Sequence, residues 1–99
     1  MPKDNDSVML ERLGFAVVDL QVKYRAASLD ERLVLRPQLD ELLERYATYQ
    51  VKLLENGVIT TDAELREMEA IRGEIDQAAA TQQLIAALAR TAVFVASKI

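Results

Sequence analysis

Apolar residues recur three and four positions apart along most of this chain, which is the spacing that places side chains on one face of an α-helix. Leucine and alanine supply much of the apolar content, and both residues favour helical backbone. The chain contains three glycines and two prolines, too few turn-forming residues for an all-β protein of this length. The sequence therefore predicts an all-α fold.

The periodicity and the capping residues divide the chain into three main helices and one short helix. We predict the main helices at residues 7–27, 37–55 and 62–97, and the short helix at residues 29–35. Residues 1–6 are polar and are predicted to be flexible, so that residues 7–99 form a single helical domain. The helices are expected to pack as an antiparallel bundle in which the last helix is long.

Capping residues define several of these boundaries. Ser7 is a plausible cap for the first helix, and Gly57 suits the left-handed conformation that follows many helix ends. Two pairs have the spacing of a capping box, in which a helix start satisfies its own backbone N–H groups: Ser28 with Glu31, and Thr61 with Glu64.

Helix continuity depends on two positions. Pro37 lacks an N–H group and disfavours helical geometry at the preceding residue, so we predict a break or sharp kink there.

No strong stop signal follows residue 62, and a last helix of roughly 36 residues would be about 54 Å long. A domain of this size has a radius of gyration of about 13 Å. The last helix therefore either breaks, near Gly73 or at residues 78–80, or packs its end on something else.

Two segments carry more apolar surface than one short chain is expected to bury. The first helix has a second apolar stripe rotated away from the one that would face the core. Residues 84–99 are apolar around most of the helix circumference. Packing residues 84–99 of one chain against the second stripe of another chain would cover both surfaces. The residues predicted at this interface are Phe15, Val18, Val22, Leu84, Leu88, Val95 and Ile99.

Several kinds of chemistry are not expected from this composition. The chain has no cysteine and no histidine, so it lacks thiolates, the commonest metal ligand and the side chain best suited to proton transfer near neutral pH. No serine or threonine has a histidine base, and the carboxylates are typical of a solvated helix face. We therefore predict no enzymatic activity, no cofactor, no metal site and no small-molecule substrate. A further alternative is that an apolar ligand binds inside the bundle.

The net charge of −4 bears on the kind of partner. An acidic chain gains nothing from counterion release, so nucleic acid is not expected as a partner. Residues 84–99 span only about 24 Å and contain Arg90, so crossing a bilayer core of about 30 Å is not expected. The first residues have no basic region followed by an apolar run, and a cytoplasmic location is the expectation.

The functional hypothesis is a protein-interaction module that self-associates, most simply as a symmetric homodimer. A second hypothesis is a small acidic regulator of a larger basic protein, of the inhibitor, immunity-protein or chaperone type. In that case the acidic residues 62–76 would face the partner and steer its approach. A third hypothesis is association with a membrane surface through the last helix.

Overall fold

The structure is a computed structural model that describes residues 4–55, 57 and 59–99. These residues form four α-helices and no β-strand: α1 (Asn5–Ala26), α2 (Leu29–Glu55), α3 (Asp62–Gln77) and α4 (Thr81–Ala96). The predicted all-α helical bundle is confirmed. The bundle measures 44 × 23 × 21 Å, and its long dimension follows α2, whose 27 residues span about 40 Å.

The helices pack as two layers in which α1 and α4 lie diagonally opposite each other. α1 lies beside α2 and α3, and α4 also lies beside α2 and α3, whereas α1 and α4 touch only slightly. Ion pairs show the relative directions of neighbouring helices. Between α1 and α3, Arg12 pairs with Glu69 and the later Asp19 pairs with the later Arg72. Between α3 and the C-terminal segment, Glu64 pairs with Lys98 and the later Glu74 pairs with the earlier Arg90. α1 and α3 therefore run in the same direction, and α4 runs opposite to α3.

All four helices contribute to one apolar core. Each helix buries the residues of a single face, as expected from three- and four-residue spacing. The large buried side chains are Met9, Leu13, Val17 and Leu20 from α1, Leu35, Leu39, Leu42, Tyr49 and Leu53 from α2, Met68, Ile71 and Ile75 from α3, and Leu84, Leu88, Phe94 and Val95 from α4.

The first helix begins two residues earlier than predicted. Asp4, and not Ser7, is its N-cap, because the Asp4 carboxylate accepts a hydrogen bond of 2.8 Å from the Ser7 N–H group. This bond lowers the pKa of the Asp4 carboxyl. Asn5 and Asp6, predicted to be flexible, lie in the first turn of α1 and contact residues 59–62. Residues 1–3 of the predicted flexible segment lie outside the described residues.

The two predicted capping boxes are confirmed. The Ser28 hydroxyl accepts from the Glu31 N–H group while the Glu31 carboxylate accepts from the Ser28 N–H group. Thr61 and Glu64 make the same reciprocal bonds. Gly57 has a φ of 73°, the left-handed conformation predicted for it.

The break predicted as one alternative at Pro37 does not occur, because α2 continues through this residue without interruption. The other alternative, a sharp kink, stays a prediction. Pro37 and Leu33, whose carbonyl loses its helical partner, both lie on the exposed side of α2. That carbonyl is therefore open to water. On the other side, Leu35 and Leu39 are buried in the core, and their burial outweighs the local cost of the proline. The predicted short helix is thus the first part of α2.

The last predicted helix breaks at residues 78–80 and not at Gly73, which lies inside α3. The Gln83 side-chain oxygen accepts hydrogen bonds from the N–H groups of Ala79 and Ala80, 2.9 and 3.1 Å long. Lys23 of α1 donates to the Ala78 carbonyl at 2.9 Å. These bonds satisfy three of the backbone groups at the interruption, and the chain reverses direction.

Candidate interaction surface

Phe15, Val18 and Val22 form an exposed apolar strip on α1, here called the α1 stripe. Their side chains are 49%, 52% and 59% exposed, although the opposite side of the same helix is buried in the core. They are spaced three and four residues apart and follow about 10 Å of the helix axis. Exposed apolar patches of this kind often mark a protein contact surface.

Phe15 contacts a cationic side chain of α3. The guanidinium carbon of Arg72 lies 5.1 Å from the centroid of the Phe15 ring, a cation–π contact. Arg72 is itself oriented by Asp19, with 3.7 Å between Arg72 Nε and Asp19 Oδ2. The contact fixes the ring at the edge of α1 next to α3, and half of the side chain stays open to solvent.

The residues predicted on the last helix are distributed differently. Leu84, Leu88 and Val95 are buried in the core of their own chain, where Leu84 and Leu88 face Leu20 and Leu39 across a gap of about 10 Å³. Ile99 is exposed at the end of the chain. The structure therefore leaves four of the seven predicted interface residues on the surface: Phe15, Val18, Val22 and Ile99.

The outward side of α4 carries small residues, here called the α4 ridge: Ala86, Ala89 and Val93. Val93 is 69% exposed and the two alanines are also exposed. Shallow grooves run along both sides of the ridge, one towards α2 and one towards α3. Because α1 and α4 are diagonal in the bundle, the α1 stripe and the α4 ridge face opposite directions.

Three acidic residues of α3 are paired with basic residues of the same chain. Glu69 Oε1 lies 3.0 Å from Arg12 Nη1 of α1, and Glu74 Oε2 lies 2.9 Å from Arg90 Nε of α4. Lys98 Nζ lies 2.6 Å from an oxygen of the third, Glu64. These bonds partly neutralise the acidic segment 62–76 and join α3 to its two neighbours.

Lys98 ties the end of the chain to α2 and α3. Its ammonium group also lies 5.0 Å from the centroid of the Phe94 ring, and its carbonyl accepts a hydrogen bond of 2.8 Å from Lys52. Partial burial acts to raise the pKa of the Glu64 carboxyl, but hydrogen bonds from Lys98 and Thr61 outweigh it and the pKa is lowered. Lys98 is therefore a structural anchor at this end of the bundle.

A buried polar cluster lies where α1 meets the connection between α2 and α3. Both oxygens of the Asp6 carboxylate accept from the Ile59 N–H group at 3.1 Å, and one also accepts from the Thr60 N–H group at 2.9 Å. Burial, together with the charges of Glu64 and Asp6, raises the pKa of Tyr49 to about 12. Both oxygens of the Asp6 carboxylate are therefore occupied by hydrogen bonds from backbone N–H groups. Tyr49 is neutral near pH 7. The cluster fits a structural role.

Comparisons with protein-family profiles, with curated proteins and with solved structures find no match for this chain. Among residues 4–55, 57 and 59–99, none of the helices has both the length and the apolar character needed to cross a membrane. In this same part of the chain, no three acidic side chains lie close enough together to hold a metal ion. The functional assignment therefore depends on the surfaces described above.

Proposed function

We propose that this protein is a non-enzymatic interaction module that self-associates through the outward side of α1. The observation that carries the proposal is the α1 stripe, in which Phe15, Val18 and Val22 present three large apolar side chains next to one another, each about half exposed. Covering this strip with another apolar surface removes it from water, which is the main driving force for association.

The pairing differs from the one that the sequence suggested. Leu84, Leu88 and Val95 are committed to the core of their own chain and are not available to a second one. The α4 ridge remains exposed, but it faces away from the α1 stripe. A contact between the stripe of one chain and the ridge of another would therefore add chains head to tail, whereas stripe-to-stripe contact closes as a dimer.

The other two hypotheses have less support from the geometry. A basic protein partner would have to bind the acidic side chains of α3. Three of them, Glu64, Glu69 and Glu74, already form ion pairs with basic residues of the same chain. On α4, Arg90 lies beside Glu74, which leaves little basic surface for anionic lipid headgroups. The cytoplasmic location stays a prediction from the sequence.

A matched pair of substitutions tests the proposal. Val18→Asp places a charge in the middle of the α1 stripe, and Val93→Asp places the same charge on the opposite side of the bundle. The two valines are 52% and 69% exposed, so neither substitution disturbs the core. In gel filtration at rising protein concentration, we expect the dimer to disappear for Val18→Asp and to persist for Val93→Asp. Equal dimer formation by both variants would refute a contact through α1.

A further inference from the structure

The first two turns of α2 expose two leucines on their outward side. Leu29 and Leu33 are 67% and 66% exposed, more than any residue of the α1 stripe. They are four residues apart and therefore lie one above the other on the same side of the helix. The opposite side of these turns is fixed in place, since Leu35 is buried in the core. The two leucines thus form a short apolar strip on a rigid support.

Two arginines follow one flank of this strip. Arg32 lies three residues after Leu29, and Arg36 lies three residues after Leu33. Three residues turn a helix by about 300°, so each arginine lies about 60° to the same side of its leucine. These four residues, Leu29, Leu33, Arg32 and Arg36, are here called the α2 surface. It consists of an apolar row with a row of positive charges beside it.

The positive charges of the α2 surface are poorly neutralised. In the part of the chain that the structure describes, Arg32 forms no ion pair, and its buried Nε has no hydrogen-bond acceptor. Arg36 Nε lies 3.8 Å from Asp40 Oδ2, and because both side chains are largely exposed this pair contributes little. Arg25, in the last turn of α1, also forms no ion pair with any described residue.

Such unpaired arginines are unexpected in a chain with 16 acidic and 12 basic residues. Elsewhere in the bundle, Arg12, Arg90 and Lys98 each lie 3.0 Å or less from a carboxylate oxygen. The arginines of the α2 surface therefore do not result from a shortage of acids. They place positive charge at one position on an acidic molecule, and an acidic partner would supply the missing carboxylates.

An anionic membrane and an acidic protein helix would both supply negative charge, and two aspartates favour the helix. Asp30 lies three residues before Leu33, on the flank away from the arginines, and Asp40 lies seven residues after Leu33, at the end of the strip. Both are exposed. Anionic headgroups would surround the strip and meet both carboxylates, which is unfavourable. A helix can carry its acids on one flank only, beside the arginines.

We infer that the α2 surface binds an amphipathic helix of another protein, in which an apolar row is flanked on one side by aspartates or glutamates. The two leucines pack against that apolar row, and Arg32 and Arg36 pair with the acids. This binding does not depend on self-association, because no residue of the α1 stripe belongs to the α2 surface. With two leucines at its centre, the contact is expected to be weak, with a Kd between about 10 and 300 µM at low salt.

A synthetic helix tests this binding. The probe is a stapled helical peptide of Ala, Leu and Glu, in which the glutamates follow one flank of leucines spaced four residues apart. The matched control peptide has Lys in place of each Glu. In fluorescence anisotropy titrations with the full chain, we expect the Lys peptide to bind at least about tenfold more weakly than the Glu peptide at low salt. Equal binding of the two peptides, or no binding of the Glu peptide up to about 1 mM, would overturn the proposed contact.

Matched variants locate the contact on α2. We expect Arg36→Glu and Leu33→Ser each to weaken binding of the Glu peptide about tenfold. The controls are Arg66→Glu on α3 and Leu54→Ser at the other end of α2, both at exposed positions, and each should stay within about twofold of the unmodified chain. Circular dichroism checks that the helices are intact. Equal losses for the test and control variants would place the peptide elsewhere and overturn the assignment.

Vesicles test the membrane alternative. We expect the chain not to sediment with vesicles of phosphatidylglycerol or of phosphatidylcholine. Binding to phosphatidylglycerol vesicles that Arg36→Glu abolishes would assign the α2 surface to a membrane and overturn the protein partner.

Discussion

Asp6 holds the start of α1 to the connection between α2 and α3. Its carboxylate accepts hydrogen bonds from the N–H groups of Ile59 and Thr60, and the Thr60 N–H group is buried. Hydrogen bonds to a charged group are stronger than those between neutral groups. One side chain therefore fixes the position from which α3 begins.

We expect Asp6→Ala to lower the free energy of unfolding by about 2–4 kcal/mol, because it removes charged hydrogen bonds to two backbone N–H groups and leaves the buried one, of Thr60, without an acceptor. Urea unfolding followed by circular dichroism measures the loss. Asp4→Ala, which removes only the N-cap bond to Ser7, is the control and should cost about 1 kcal/mol. Equal losses for the two variants would contradict the role assigned to Asp6.

The buried Tyr49 predicts how stability changes in alkali. Its pKa is about 12 in the folded chain, above the value of 10.0 expected in the unfolded chain. Below pH 10 both states keep the phenol neutral. Above pH 10 the unfolded chain loses this proton first, so stability falls as pH rises from 10 towards about 12. Urea midpoints measured across this range should fall more steeply for the unmodified chain than for Tyr49→Phe. Parallel curves would show that Tyr49 ionises as readily in the folded chain.

Residues whose partners are close in sequence were predictable, and Asp6 was not. A capping box joins residues three apart, so Ser28 with Glu31 and Thr61 with Glu64 can be identified from spacing alone. The partners of Asp6 lie 53 and 54 residues away, and no local pattern marks that contact. The exposed α1 stripe was also predictable, because a helix in a bundle buries only one face.

Helix boundaries show where tertiary packing overrides local preference. Pro37 favours a break, yet Leu35 and Leu39 on either side of it are buried and keep α2 continuous. Residues 78–80 are alanines, which favour helix, yet the chain breaks there and α4 turns back onto α2 and α3. Gly73 stays helical between the buried Ile71 and Ile75. At Pro37, burial outweighs a propensity of about 3 kcal/mol, and the break at residues 78–80 occurs at one of the two sites that the length of the last predicted helix indicated.

Pro37→Ala is expected to stabilise the chain by about 1–2 kcal/mol. The substitution restores a hydrogen bond to the Leu33 carbonyl and removes the proline ring from the helix, while the proline's restriction of the unfolded chain is lost. Pro37 is exposed, so no core contact changes. The urea midpoint measures the gain. Unchanged or lower stability would indicate that α2 bends at this position, as the sequence suggests.

At the level of the whole molecule, apolar surface is distributed unequally between α1 and α4. The sequence of residues 84–99 suggests more apolar surface than one chain can cover, but α1, α2 and α3 together cover most of it. The apolar side chains of α4 that stay exposed to solvent are mainly small. The number of helices around a segment is set by the whole fold and cannot be derived from that segment alone. The prediction of unburied apolar surface therefore applies to α1.

Paired truncations distinguish core from surface in this arrangement. Leu88→Ala should lower the free energy of unfolding by about 2–5 kcal/mol, because it leaves a cavity between α4 and α2. Val18→Ala should change it by less than about 0.5 kcal/mol at low protein concentration, since the side chain is already in water. Urea unfolding of both variants at the same concentration gives the comparison. A large loss for Val18→Ala would place the α1 stripe in the core of the single chain.

Sedimentation equilibrium of the unmodified chain at low salt is the most direct test of association through α1. We predict that the average mass rises from 11.1 kDa in dilute solution towards twice that value and then levels off. A closed contact through a single surface permits no further growth. A mass that stays at 11.1 kDa up to about 1 mM would contradict self-association. A mass that continues to rise beyond the dimer would contradict a closed pairing through α1.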